Sequence, residues 1–585
     1  MKKIFSPVVL VVFVLFCAGS LLAQGEDGKF QKTLEKYLEE YWKFFPTTAT
    51  MAGFHKFDNE LENFSEKNLE KWMDTLDSFN QEFVAKIDKS KLSPNVQIDH
   101  EIIVNGMDLE RLKIESLVPW DYNPLIYNNI LKNCIKSLFD GDFAPLETRA
   151  KNALERLKDL PGFLKEAKKS LKTPPQIYTQ KAIDNFPAIL DFYKTDIPAL
   201  IGSAPADLAP KLQEESAKVV AALEDYQNYL QNELLAKSTG NPFLGQEAHT
   251  KLLRHTLLND IPIQELINRS KADYNNIRRE MALVCLPFFR IMYPNINIEQ
   301  MASQRSEQEN QNIVIKGVFD KIKENNVSKE SYIESLKQTS EEIKNYITKN
   351  QLLDLPGESL EIAPMPPLMQ GCDWTRLVTP GMYEQDGGYT LMIHPIPDTW
   401  SEEQVQSFFE EYTPFLTYFW TIRYIFPGTF MPFTVTRSKS SLVQKMYPNE
   451  TLMAAWPVYV EEMFILSGFG KFDLRLRLNQ LKLLLRAVID FQMELNIHQS
   501  GMDKERVVNY MVRSGFQSQL EAEKKYESIL LNPGKAALAY VGYQEILDME
   551  KRAKSSLGDS FNQKEFLNKL LSFGMIPIRN LKQNF

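Results

Sequence analysis

Apolar side chains return at helical spacing along most of this chain. Phe30, Leu34, Tyr37, Leu38, Tyr41 and Phe44 mark one face over 29–45, and Pro46 is expected to stop that helix. The same period predicts helices over 65–87, from a cap-like Ser65-Glu-Lys-Asn68, then over 96–117 and 124–139. A basic and apolar stretch follows, LETRAKNALERLKDLPGFLKEAKKSLKTPPQIYTQKAI, read as a helix pair punctuated by Pro161 and by Pro174-Pro175. Its cations are expected to form a solvated face rather than a binding patch. Leu212, Val219, Leu223, Tyr226 and Leu230 stripe a long helix over 212–237 that ends at Gly240-Asn-Pro242, and 263–286 and 328–350 repeat the pattern.

Between Leu353 and Asp398 the helical period is lost, and Pro and Gly crowd in. Within that region Tyr389-Thr-Leu-Met-Ile393 alternates enough to predict a short strand, closed by His394-Pro395. Ser401-Glu-Glu-Gln404 reads as a capping box opening a further helix, and Ser518–Glu521 as a second. No repeat of fixed period stands out. The predicted fold class is mainly α: one large helical domain over 24–585 with a small β element near 388–395.

Composition narrows the picture. The chain has 585 residues, 44% of them hydrophobic, enough apolar side chain for a large core. A net charge of −9 without a dense basic stretch argues against nucleic acid as a partner. At the N-terminus, Lys2 and Lys3, an apolar run from Val8 to Ala18 and Ser20-Leu-Leu-Ala23 make a secretory signal over 1–23. Cleavage near Ala23 is expected to leave a periplasmic or extracellular protein. Cys17 raises a lipoprotein alternative, but Phe16 in front of it is too bulky for a good lipobox, so lipidation is not expected. No later apolar run is long enough for an integral membrane span. The mature chain keeps Cys134, Cys285 and Cys372, an odd number at spacings that match no zinc site, and they read as small buried hydrophobes.

The histidines offer no obvious metal centre. There are six, none in a His-Glu-x-x-His motif, and His249 and His255 lie six apart, on different sides of a helix. There is no Gly-x-Ser-x-Gly elbow and no Ser-x-x-Lys tied to further penicillin-binding motifs. Two-carboxylate glycosidase chemistry stays open among 76 acidic residues, although no pair is singled out.

The segment order does point somewhere. FPTTATMAGFHKFD behind the first helix, LKDLPGFLKEAKKSL, and the tail LNPGKAALAYVGYQEILDMEKRAKSSLGDSFNQKEFLNKLLSFGMIPI together resemble the domain of unknown function 885 family, over roughly 30–578. Its members are largely helical bacterial proteins, often exported, and regarded as gluzincin-like metallopeptidases. The resemblance implies a helix reading His-Glu-x-x-Pro-Gly-His and a later one reading Glu-Gly-Trp-Ala-x-Tyr. Two imidazoles and the later Glu would hold Zn²⁺, and the Glu beside the first His would act as general base on its water.

Aligned on Pro427-Gly428, Trp456 and Tyr459, this chain has Arg423 at the first His, Tyr424 at the base, Thr429 at the second His and Ala454 at the ligand Glu. By that frame the scaffold is gluzincin-like, the zinc site is degenerate, and no catalytic residue, metal or other cofactor is expected. A fixed cation at Arg423 would also repel a dication. The family's Pro-Gly-Gln and following Tyr become Pro533-Gly534-Lys535 with Ala539, Tyr540 being one residue out of step. Its Asp-x-x-x-His becomes Glu494 and His498, a metal-site remnant or a plain helix contact, the latter favoured.

The expected function is an inactive, exported peptidase-like protein that binds peptide or another carboxylate-bearing ligand. Arg423, Tyr424, Trp456, Tyr459, His498, Lys535 and Tyr540 are the candidate binding residues. For Arg423 two readings stand: a cation for a ligand carboxylate, or a buried ion pair filling vacated space. Trp456 likewise reads as floor or as core, and Glu461 and Glu462 as surface or supporting residues. The alternative function is an active hydrolase with an unrecognised or remodelled site. Oligomeric state is not legible.

Overall fold

A computed structural model describes residues 25–322, 328–371, 374–384, 387–411 and 413–585. The signal segment 1–23, with Cys17, and Cys372 lie outside the described residues. The elements nearest the site are α1 (Glu26–Phe44), α2 (Gln246–Leu257) and α3 (Ile263–Met292), then strands β1 (Leu360–Pro364), β2 (Thr375–Val378) and β3 (Tyr389–Ile393). After them come α4 (Pro414–Tyr424), α5 (Phe430–Lys439), α6 (Glu450–Leu466), α7 (Leu474–Ser500), α8 (Gln519–Leu531) and α9 (Leu538–Leu557).

The helical periods translate into helices with two informative departures. Pro46 ends α1 but also opens the short helix Pro46–Met51, where its missing N–H costs nothing. Pro161 does not divide its stretch: Leu146–Ser170 is one helix. Leu157 and Leu160 before the proline and Phe163 and Leu164 after it are all buried, so packing on both sides holds the turn despite the lost hydrogen bond. The next helix, Gln176–Gly202, starts directly after Pro175.

The β element is larger than its sequence signal. Strand β3 coincides with the predicted run and alternates buried Tyr389, Leu391 and Ile393 with half-buried neighbours. It is the centre of a three-stranded sheet ordered β1-β3-β2, with β1 parallel to it and β2 antiparallel. The capping box at Ser401–Gln404 forms in full, while Ser518 caps the Glu521 N–H. A further capping box forms at Ser306–Glu309.

Buried apolar residues from Phe30 to Leu581 join in one cluster, and α7 runs through it. From Leu476 to His498 nearly every side chain of α7 is buried, the signature of a helix enclosed on all sides. Against it lies the tight pair α6 and α9. A Cβ on Gly542 of α9 would sit 2.6 Å from both the Ala455 Cβ and the Thr451 carbonyl oxygen, so glycine lets the two backbones close up. Cys134 and Cys285 are buried free thiols. Among the described residues no helix is long and apolar enough to cross a membrane.

Candidate functional site

The stretch around Pro427-Gly428 is not one helix. Helix α4 stops at Tyr424, a turn carries 425–429, and α5 begins at Phe430. Hydrogen bonds to α4 and α6 fix the turn. The Gly428 N–H donates to the Ile422 carbonyl (2.8 Å), the Thr429 hydroxyl to the Arg423 carbonyl (3.2 Å), and the Trp456 indole N–H to the Pro427 carbonyl (3.1 Å). A Cβ on Gly428 would lie 2.1 Å from the Arg423 carbonyl oxygen, which leaves glycine the one residue that fits. Trp456 and Pro427, anchors of the sequence frame, thus belong to a single contact between α6 and the turn. Trp456 itself is fully buried.

Arg423, on the last turn of α4, points at α6. Its Nε and Nη2 donate to the two carboxylate oxygens of Glu461, at 2.7 and 2.8 Å. The Glu461 side chain is 1% exposed and that of Arg423 is 21% exposed, so this is a bidentate pair inside the protein. Glu461 is therefore no surface residue. Desolvation works against the charge on Arg423, but the Glu461 carboxylate, with Tyr424 and Asp490 nearby, outweighs it and the guanidinium stays protonated. Burial likewise presses the Glu461 carboxyl upward, and the guanidinium across both of its oxygens opposes that. We read the pair as ionised, because Arg cannot surrender its proton.

The neighbours of Arg423 complete an alternating charge array. Tyr424 stacks on Trp420, ring centroids 4.7 Å apart. The Asp490 carboxylate of α7 pairs with Lys525 of α8 at 3.1 Å and also acts on Arg423. Ala454, five residues before Tyr459 on α6, adds only a half-buried methyl group. The Tyr459 hydroxyl accepts from the Gln563 amide at 2.9 Å.

A second cluster lies one turn along α7. Glu494 is fully buried and accepts from His249 Nε2 (2.8 Å) and from the backbone N–H groups of Gly534 (2.7 Å) and Ala536 (3.2 Å). The Gln499 amide donates to His249 Nδ1 at 3.2 Å, which places the imidazole proton on Nε2, facing Glu494. The His498 ring stacks on His249 and its Nε2 meets the Ile529 carbonyl at 3.0 Å. Burial pulls the His498 pKa down against the opposing effect of Glu494, so it is neutral at pH 7. His249, set aside in the sequence for its spacing, is the centre of this cluster. Its partner lies 245 residues away, beyond any local signal.

The remaining candidates are dispersed. Lys535 pairs with Glu450 at the surface, and the Tyr540 hydroxyl donates to Asp273 at 2.7 Å. Neither reaches Arg423 by a hydrogen bond. Among the described residues no three His, Cys, Asp or Glu side chains converge closely enough to hold a metal ion.

Two solved structures share the fold. One, "a putative lipoprotein of unknown function from Shewanella oneidensis", superposes with a TM-score of 0.80 at 21% identity, covering 95% of this chain and 99% of its own. The other, described as "the putative lipoprotein from Colwellia psychrerythraea", has a TM-score of 0.71 at 15% identity over 95% and 98%. Both descriptions overturn the expectation against lipidation, which had weighed only the bulk of Phe16 before Cys17. No curated protein matches the sequence. A family model described as "Bacterial protein of unknown function (DUF885)" matches residues 46–585, and the chain belongs to that family.

Proposed function

We propose that this protein is a ligand-binding member of its family, built on a gluzincin-like peptidase scaffold and without metal-dependent catalysis. The observation that carries the reading is the Arg423–Glu461 pair. Where the resemblance places a histidine ligand, there is a guanidinium already engaged by a carboxylate from the neighbouring helix. Tyr424, Thr429 and Ala454 add no imidazole or carboxylate. This donor set does not fit Zn²⁺, so no catalytic step is routed through a metal.

The binding role is to hold peptide or another carboxylate-bearing ligand. Arg423 is a poor anchor for it, since an incoming carboxylate would have to compete with Glu461 for the guanidinium. By analogy with the two solved relatives, we read the protein as exported and acylated at Cys17. Mass spectrometry of the membrane fraction tests this: a diacylglyceryl Cys17 is expected, and an intact chain beginning near Gln24 in the soluble fraction would refute it.

Rebuilding the site tests the frame. Arg423→His, Tyr424→Glu, Thr429→His and Ala454→Glu together would strand Glu461 as an unpaired buried carboxylate, so Glu461→Gln must accompany them. Zinc binding at one equivalent is the expected result. A folded variant that binds none would sink the alignment on which the reading stands.

A further inference from the structure

A groove of about 330 Å³ opens beside α5, within the size range of small-ligand sites. Its apolar lining comes from Trp42 of α1, Tyr389 of β3, Phe433 of α5 and several methionines, Met446 and Met575 among them. Methionine and aromatic side chains together make a wall that adapts to an apolar guest. One edge is built to close tolerance. A Cβ on Gly381 would fall 2.6 Å from the Ala52 carbonyl carbon, and the Tyr383 N–H donates to the Ala52 carbonyl at 2.9 Å.

The charges at this groove are one-sided. Its charged lining residues are Arg437 and Lys445, with no Asp or Glu, although the protein carries a net −9. Arg437 is occupied by the carbonyls of Pro380 (2.9 Å), Gly381 (3.2 Å) and Glu384 (2.7 Å), and acts as a fixed post. Lys445 is different. Its ammonium makes no side-chain hydrogen bond or ion pair among the described residues, and desolvation, then Arg437, lowers its pKa. Tyr389 is 4% exposed and its hydroxyl has no hydrogen-bond partner. A half-buried ammonium beside apolar surface and lacking a counter-ion is costly unless an anion completes it.

We propose that this groove binds a small amphiphile carrying one carboxylate on an apolar body. The carboxylate meets Lys445, and the body lies on the Trp42, Phe433 and methionine lining. Tyr389 packs its ring on Phe430 at 5.2 Å, so the groove adjoins the α4–α5 turn without using Arg423. The proposal rests on the binding role above and gives it a ligand class. Its failure would leave the loss of metal catalysis untouched.

The test is titration calorimetry on the full mature chain. Decanoate represents a free fatty acid and N-acetyl-leucyl-leucine a peptide terminus, with decan-1-ol and the peptide amide as uncharged counterparts. At least one acid should bind about tenfold more tightly than its uncharged counterpart, and Lys445→Gln should remove that advantage. Whichever acid shows this names the source of the carboxylate. Met446→Trp, which fills the groove from a half-buried lining position, should abolish binding without lowering the melting temperature by more than a few degrees. Equal binding of acids and uncharged analogues, or acid binding that Lys445→Gln leaves intact, would overturn the proposal.

Discussion

Arg423 and Glu461 lie 38 residues apart and meet through two hydrogen bonds, of 2.7 and 2.8 Å, that join the end of α4 to the middle of α6. Under the proposed alignment the pair stands where a metal ligand would lie, and the Trp456–Pro427 contact joins α6 to the turn beside it. Its energetics follow from burial. Removing one partner should cost far more than replacing both.

Glu461→Ala alone is expected to destabilise the protein by about 3 kcal/mol, because it leaves the mostly buried guanidinium without its counter-charge. The double variant Arg423→Met, Glu461→Leu should recover most of that loss. Urea denaturation of Arg423→Met, of Glu461→Leu and of the double reads the coupling directly. Strictly additive losses would show that the pair carries no weight in the fold.

Glu494 is predicted to matter for a different reason. Glu494→Ala strips the acceptor from His249 and from the Gly534 and Ala536 N–H groups, which lie in the interior. A loss of about 3 kcal/mol is expected, with faster amide exchange confined first to 533–537. Unchanged exchange there would refute the idea that Glu494 pins that turn.

Gly428 and Gly542 should tolerate no side chain. Alanine at Gly428 collides with the Arg423 and Ile422 carbonyls, and alanine at Gly542 with Ala455 and Thr451. Each substitution is expected to cost about 1–3 kcal/mol through forced backbone shifts. A melting temperature equal to that of the parent would contradict the close approach.

Stability should depend on pH through Glu545 of α9. Burial, partly offset by Lys582, lifts its carboxyl from an ordinary 4.5 to about 7. Between those values the folded protein holds a proton that the unfolded chain has released. Stability contributed here is therefore present at low pH and is lost as pH rises through that window, by about 3 kcal/mol in all. Glu545→Gln, which keeps the shape and cannot ionise, should flatten the profile between pH 5 and 7.5. A slope unaltered by that substitution would place the titration elsewhere.

Most helices were legible because one apolar stripe is enough to mark them, as Leu212, Val219 and Leu223 do. Strand β3 was legible too, since Tyr389, Leu391 and Ile393 face one way. Strands β1 and β2 were not: Leu360–Pro364 lacks clean alternation, and its pairing to β3 is a distant, parallel one. Pro161 misled because its penalty is local while the packing that overrides it is tertiary. For Arg423 the sequence offered an ion pair without naming the partner. Glu461 was read as a surface or supporting residue, and only the crossing of α4 over α6 makes it the counter-charge. His249 shows the same limit, because nothing near it in sequence announces Glu494.

Whether this protein holds a catalytic metal is decided by metal analysis of the purified mature chain, run beside a chelator-sensitive peptidase assay. The prediction is well under one-tenth of an equivalent of zinc and no peptide hydrolysis that a chelator suppresses. One equivalent of zinc with chelator-sensitive cleavage would contradict it.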